Sequence, residues 1–364
     1  MPDKYIGAID QGTTSSRFMI FNHNGEVSAS AQMPHKQHYP KSGWVEHDAF
    51  EILRNTYELI KQALHKAKLE YSDLSAIGIT NQRETVVVWD KNYGQPLYHA
   101  IVWQDTRTEY ICRELERLKG KEYFSLKTGL PIATYFSGSK LKWLRENVPE
   151  IEMKLESGDA LVGTIDSWLL WNLNGRKHLT DITNASRTLL YNINDCTWDS
   201  ELLELFRIPE SALPTVLSSV NSEGFGTLHI DDVDTKVPIT CVLGDQQAAI
   251  FGQTCFHKGD AKCTYGTGAF ILMNIGSEIY QSKYGLLTTV AYAVNSEKPV
   301  YALEGSIAMA GSLVQWLRDN MGMIRESDEI ETLAINAEDN DGVYCVPAFS
   351  GLFAPYWNGN AQGL

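Results

Sequence analysis

The sequence predicts an α/β protein with mixed sheets, built as two related halves that face each other across a cleft. Three observations carry this. Strand-like and helix-like segments alternate along the chain, the pattern of strands and helices packed on one another. A Gly/Thr-rich turn lies between two strand-like runs twice, at Asp10-Gln11-Gly12-Thr13-Thr14-Ser15-Ser16-Arg17 and at Gly266-Thr267-Gly268. At 364 residues the chain is longer than one hydrophobic core ordinarily serves. The recurrence of the turn reads as a duplication or as two ordinary Gly-Thr turns; duplication accounts for more of the pattern.

Taken in order, residues 5–9 and 17–22 are β-branched and aromatic runs around the first turn, and residues 26–32 add a third strand. A helix starts at about Asp48, a suitable N-cap, with Phe50, Leu53, Tyr57, Ile60 and Leu64 at helical spacing. Residues 74–80 and 85–90 read as strands around the polar insert Asn81-Gln82-Arg83-Glu84. Residues 139–147 form a helix carrying Leu141, Trp143 and Leu144, and residues 160–172 begin as strand and continue as helix. A second unit starts near Pro238, with a strand over 239–243, a turn at Gly244-Asp245-Gln246-Gln247 and a helix over 248–252. Strands over 261–265 and 269–274 flank the second turn, and the acidic stretch 326–341 is a solvated helix and loop. The chain closes on the run 347–357 without a terminal helix, so the second unit is about half the first and reads as a fragment.

Composition narrows the class. Hydrophobic residues at 43% and charged residues at 21% suit a soluble globular protein, and the apolar runs are strand-sized rather than bilayer-sized. Met1-Pro2-Asp3-Lys4 lacks the basic and apolar regions of a secretory signal. Cys112, Cys196, Cys241, Cys255, Cys263 and Cys345 are scattered singly, which predicts reduced, mostly buried thiols and a cytoplasmic location. The short apolar runs argue against membrane insertion, and a net charge of −14 argues against nucleic acid and an anionic membrane surface as partners. It still allows a polyanion held by local N–H groups and a metal ion.

The first turn is either a plain hairpin loop or a polyphosphate cradle, in which Gly12 admits phosphate to the backbone N–H groups, the hydroxyls and Arg17 donate, and Asp10 holds Mg²⁺. Asp245, at a strand end before a helix, is either an N-cap or a proton acceptor for an attacking hydroxyl. Arg83 and Glu84 are either an exposed ion pair or two groups facing one cavity. Trp103, Tyr135 and Phe270 are either core aromatics or a wall against the carbons of a small polyol. His47, His99 and His178 stand alone, with no ligand role, and no metal site made of protein ligands alone is expected.

Six stretches together carry a resemblance: Asp10 to Arg17; Gly78-Ile79-Thr80-Asn81-Gln82-Arg83-Glu84-Thr85; Thr183-Asn184-Ala185-Ser186-Arg187; Gly244-Asp245-Gln246-Gln247-Ala248-Ala249; Tyr265-Gly266-Thr267-Gly268; and residues 348–357. With Tyr135-Phe136-Ser137-Gly138-Ser139-Lys140, these are similar to the FGGY carbohydrate kinase family over essentially the whole chain. The resemblance implies a two-lobed actin/hexokinase/Hsp70-like (ribonuclease H-like) fold, with residues 1–245 as N-terminal domain and 246–364 as a partial C-terminal domain. It implies ATP-dependent phosphorylation of glycerol to sn-glycerol 3-phosphate in glycerol catabolism. The alternatives are another polyol or sugar such as xylulose, ribulose or gluconate, or a catalytically impaired nucleotide-binding fragment.

Carried over position by position, Arg83, Glu84, Tyr135, Asp245 and Gln246 bond the glycerol hydroxyls, with Trp103 and Phe270 against its carbons. Asp245 is the catalytic base. Thr13, Thr14, Ser15, Arg17, Thr267, Gly311 and Gln315 take the nucleotide side, and Asp10 sits near Mg²⁺. A homo-oligomer, dimer or tetramer, is implied for the full-length form. Two departures stand out. Family members continue past Leu364, so the isolated chain is expected to fold poorly or bind ATP weakly. The stretch 230–236, where some bacterial relatives bind fructose 1,6-bisphosphate, carries three Asp that would repel phosphate.

Overall fold

In the first hairpin of the computed structural model, Tyr5–Gln11 and Ser15–Phe21 pair antiparallel with Asp10 opposite Arg17, and Val27–Pro34 adds the third strand. Every second side chain of Ser15–Phe21 is buried, the alternation a one-faced strand requires. The structure describes residues 4–230, 233–295, 297–349, 351–359 and 361. Asp231 and Asp232 of the 230–236 stretch, Ser350 of the closing run and Gln362, Gly363 and Leu364 lie outside the described residues.

Leu74–Asn81 lies parallel to Tyr5–Gln11, and Val233–Gly244 lies parallel beyond it, so a mixed sheet forms, edged by Thr227–Ile230. This corrects one expectation. The strand after Pro238 does not open a second unit; Ile239 and Val242 are fully buried and in register with Ile77 and Ile79, and that apolar match places the strand in the first sheet. Helix Ala49–Ala67 covers this sheet. Asp48 caps it by accepting the Phe50 N–H at 2.8 Å, and Leu53, Ile60 and Leu64 are buried. Phe50 is the exception, exposed at its edge. A smaller sheet joins Val86–Asp90 to Ala160–Thr164, which runs on into helix Ile165–Leu173.

The second half has its own antiparallel sheet, ordered Ala261–Tyr265, Ala269–Gly276, Val300–Ile307, Leu287–Tyr292. Helix Asp245–Gly252 bridges the two sheets and begins at Asp245 itself, three residues before the expected start. One continuous apolar core runs from Val86, Phe136 and Val162 to Phe270, Leu272 and Leu287, and so holds the two hairpins facing one another. Helix Glu329–Asn336, in the acidic stretch, has no buried residue, as a solvated helix should.

The cysteines depart from expectation. Only Cys112 and Cys255 are buried; Cys263 and Cys345 are exposed. Cys263 lies on an edge strand whose odd-numbered positions face outward, so the period of two fixes its exposure. Among the described residues no helix is long and apolar enough to cross a membrane.

Candidate active site

The first turn is closed by the Gly12 N–H donating to the Ser15 carbonyl at 2.9 Å. Two glutamines hold it from beneath. Gln82 Nε2 donates to the Gly12 carbonyl at 3.2 Å and Gln37 Nε2 to the Thr13 carbonyl at 3.1 Å. The His47 ring joins them, with Nε2 at 2.7 Å from Gln37 Oε1 and Nδ1 at 3.3 Å from Gln82 Nε2. Both amide nitrogens are engaged on carbonyls, so Gln37 Oε1 accepts from His47 Nε2–H and His47 Nδ1 accepts from Gln82. Burial, reinforced by nearby His35 and His38, holds His47 well below the usual imidazole range and keeps this neutral tautomer. His47 therefore does not stand alone; it ties the turn to the chain beneath. Trp103 Nε1–H donates to Thr13 Oγ1 at 3.0 Å from the cavity side.

The second turn closes through Gly266 N–H to the Gly268 carbonyl at 2.9 Å. Helix Gly311–Asp319 starts against it. Ala310 has no capping side chain, so turn carbonyls serve instead: Ala310 N–H donates to Thr267 O at 2.9 Å and Gly311 N–H to Gly266 O at 2.9 Å. A Cβ on Gly311 would lie 2.6 Å from Gly266 O, and one on Gly268 would lie 2.5 Å from Ile307 O. Gly268→Ala is expected to force the turn from the neighbouring strand and destabilise by about 1–3 kcal/mol. Thermal melting checks this; an unchanged Tm would refute the steric argument.

Between the turns, Arg83 and Glu84 occupy a tight three-residue turn in which Thr85 N–H donates to Arg83 O at 2.7 Å and Glu84 takes φ 63°. Such a backbone stores roughly 1–3 kcal/mol and persists only where surroundings hold it. Here Arg187 Nε holds Glu84 Oε1 at 2.6 Å. Glu304, from the second sheet, accepts from Arg83 at 2.7 and 2.9 Å and from Arg187 at 3.1 and 3.2 Å. All four side chains are buried. Burial would raise the Glu304 carboxyl, but the two guanidiniums overcome it and hold it at about 2. In Glu84 burial wins over Arg187 and Arg83 and raises the carboxyl.

Arg83 also donates to Tyr135 Oη at 3.2 Å and faces Asp245 through Nε at 3.3 Å. Gly244 lets its stem pass, since a Cβ there would lie 2.7 Å from Arg83 Cγ. The Asp245 side chain is 35% exposed against 2% for Arg83, so the carboxylate opens into the space that the arginine only borders.

That space is a cavity of about 200 Å³. Its walls include Arg83, Glu84, Trp103, Tyr135, Asp245, Gln246 and Phe270 with Thr13, Thr14 and Thr267, all singled out by sequence, and also Thr264, Gly266 and Gly268. The Trp103 ring meets Tyr135 at 5.7 Å and Phe270 at 6.0 Å, edge to face. The remaining sequence-selected residues lie outside the wall. Arg17 donates to Gln32 at 3.1 Å, and Ser15 Oγ accepts from Gln32 Nε2 at 2.9 Å. Gly311 backs the second turn, and Gln315 lies exposed on the helix that follows. Asp10 has its carboxyl raised by burial, opposed by Arg17 and reinforced by the Asp245 charge.

Sequence reasoning gave Arg187 no role of its own and passed over Glu304, Thr264 and Lys262. A signal existed for one of these: Glu304 is a lone charge inside the apolar strand run Val300–Ile307, where an unpaired charge is too costly to bury.

A cleft between two lobes, with hydroxyl-bearing Gly turns on facing hairpins and a carboxylate between them, defines a phosphotransferase of the actin/hexokinase-like class. The FGGY family of carbohydrate kinases matches through its N-terminal domain over residues 5–252 and its C-terminal domain over residues 261–364. The chain belongs to that family. It is 56% identical to the glycerol kinase of Brucella anthropi and 55% identical to that of Pseudarthrobacter chlorophenolicus, in each case over 99% of this chain and 72% of the relative. The glycerol kinase of Plasmodium falciparum, solved with ADP, superposes with a TM-score of 0.88 at 42% identity, over 99% of this chain and 72% of that one. The xylulose kinase of Lactobacillus acidophilus, at 22% identity and a TM-score of 0.83, shares the fold.

Proposed function

We propose that this chain transfers the γ-phosphoryl group of ATP to glycerol, giving sn-glycerol 3-phosphate and ADP. One observation carries the reading: Asp245, the Arg83–Glu84 pair and both turns open onto a single cavity of about 200 Å³, suited to a small triol. More than half identity to glycerol kinases of two bacteria supports the choice of substrate.

In this mechanism Arg83 donates to glycerol oxygens and Glu84 accepts from a hydroxyl, while Trp103, Tyr135 and Phe270 enclose the carbons. Asp245 accepts the proton of the attacking hydroxyl as the oxygen meets phosphorus. Backbone N–H groups of the two turns and the hydroxyls of Thr13, Thr14 and Thr267 hold the phosphoryl oxygens. The aromatic wall excludes water, the competing acceptor. Gly311 and Gln315 extend the nucleotide side, with Ser15 and Arg17 at its margin. Asp10 and Asp245 repel one another across partly buried ground, a donor pair that fits Mg²⁺. The ion would neutralise phosphate charge. The division at residue 245, a cytoplasmic setting and a homo-oligomer belong to the same proposal.

The test is a panel of glycerol, xylulose, ribulose and gluconate with ATP and Mg²⁺, read by ADP release. Glycerol is expected to be turned over fastest; a faster sugar overturns the assignment. His47→Phe should cut the link beneath the first turn and lower kcat/KM for ATP by about 1–2 kcal/mol, roughly 5–30-fold. The KM for glycerol should not move, and steady-state kinetics in each substrate separate the two.

A further inference from the structure

We propose that Lys262 is a positioning residue that commits Gln246 and Thr264 to donate hydrogen bonds into the cavity. It comes from the edge strand Ala261–Tyr265 of the second half and is only 6% exposed. Its Nζ donates to Gln246 Oε1 and to Thr264 Oγ1, the latter at 2.9 Å. Both partners line the cavity; Lys262 does not.

An ammonium donates three hydrogen bonds and accepts none, whereas an amide and a hydroxyl each do both. With Gln246 Oε1 taken by the lysine, the amide must turn its Nε2 hydrogens the other way. One meets Asp245 Oδ2 at 3.2 Å, and the second is left for the cavity. With its Oγ1 accepting from Nζ, Thr264 likewise turns its hydrogen outward. Hydroxyl oxygens of a polyol and the oxygens of a transferring phosphoryl group are acceptors, so this polarity is what the reaction needs. The Gln246–Asp245 bond also orients the carboxylate.

Packing alone gives no reason for a charge here. The charged groups around Nζ are Arg83 from the connection after Leu74–Asn81, Asp245 at the start of its helix and Glu304 on Val300–Ile307; Cys263, next to it on its own strand, points to the opposite face. Burial, aided by Arg83 and opposed by Glu304 and Asp245, lowers the ammonium to about 8. A methionine of similar length would fill the site without desolvating a charge. The lysine therefore stands where stability alone would prefer an apolar side chain.

The inference rests on the glycerol-kinase reading, and the test separates them. Wild type and Lys262→Met are compared in glycerol binding by calorimetry, in ADP release across pH, and in thermal melting. Lys262→Met is expected to melt no lower than wild type, to lose at least tenfold in kcat/KM for glycerol, and to lose the fall in kcat/KM above about pH 8 that deprotonation of Nζ gives wild type. In a Gln246→Ala background the same change should cost less than in wild type, because part of what it positions is gone. Wild-type parameters within twofold, or a loss that tracks a lowered Tm with the alkaline limb intact, overturn the role of Lys262. A wild type that neither binds nor phosphorylates glycerol overturns the reading beneath it.

Discussion

Asp245→Asn is expected to lower kcat by roughly 10²–10⁴-fold while leaving glycerol affinity within a few-fold. Asparagine keeps the shape and can still accept the Gln246 N–H that Asp245 Oδ1 accepts at 2.7 Å, so the start of the helix survives. It cannot take a proton from the attacking hydroxyl. Arg83 keeps the Oδ1 oxygen it faces at 3.3 Å without its charge and retains Glu304, while Gln246 Nε2 loses Oδ2 as an acceptor and turns to water in the cavity, so stability should change little. ADP-release kinetics and calorimetric glycerol binding on one preparation check both halves. A kcat within tenfold of wild type would assign the proton to another group.

Glu304→Gln should be the more damaging change to the fold. It leaves Arg83 and Arg187 with Glu84 as their buried counter-charge, and breaking such a network costs about 3–5 kcal/mol. It also frees the Arg83 guanidinium to swing, so the KM for glycerol should rise as well. Adding Arg187→Gln removes one charge of each sign and should recover part of the stability; additive losses would deny the coupling.

The pH dependence has a definite sign. Glu304 has its folded value depressed to about 2 from the ordinary 4.5, so its stabilisation is complete above pH 4.5 and is lost as pH falls toward 2. The shift corresponds to about 3 kcal/mol. Burial raises Glu84, which therefore opposes this trend. Urea unfolding between pH 7 and 2 should show the gap between wild type and Glu304→Gln closing below 4.5; a constant gap would refute the charge argument.

Local pattern carried much of this. The first hairpin, the Asp48-capped helix and the strands flanking Gly266-Thr267-Gly268 follow from period-two and period-3.6 burial and from Gly/Thr turn chemistry, which neighbours along the chain decide. Most of the cavity-lining residues were legible because they cluster in short polar motifs at strand ends. The strand Val233–Gly244 joins the first sheet instead of opening a second unit because strand identity is local while sheet membership is not: pairing with Leu74–Asn81 is set by a match between segments about 160 residues apart in sequence.

Residue pattern along the chain suffices for most of the elements, the two Gly/Thr turns and the carboxylate at Asp245 that serves them. Which charges meet is set by the packing of the two halves. Glu304 and Lys262 belong to strands of the second half, yet their partners Arg83, Arg187 and Gln246 lie outside that sheet. A buried charge is tolerable only beside its counter-charge or acceptor, so the two halves must close on one another before these residues have a role. That closure also turns two ordinary hairpins into opposite walls of one site.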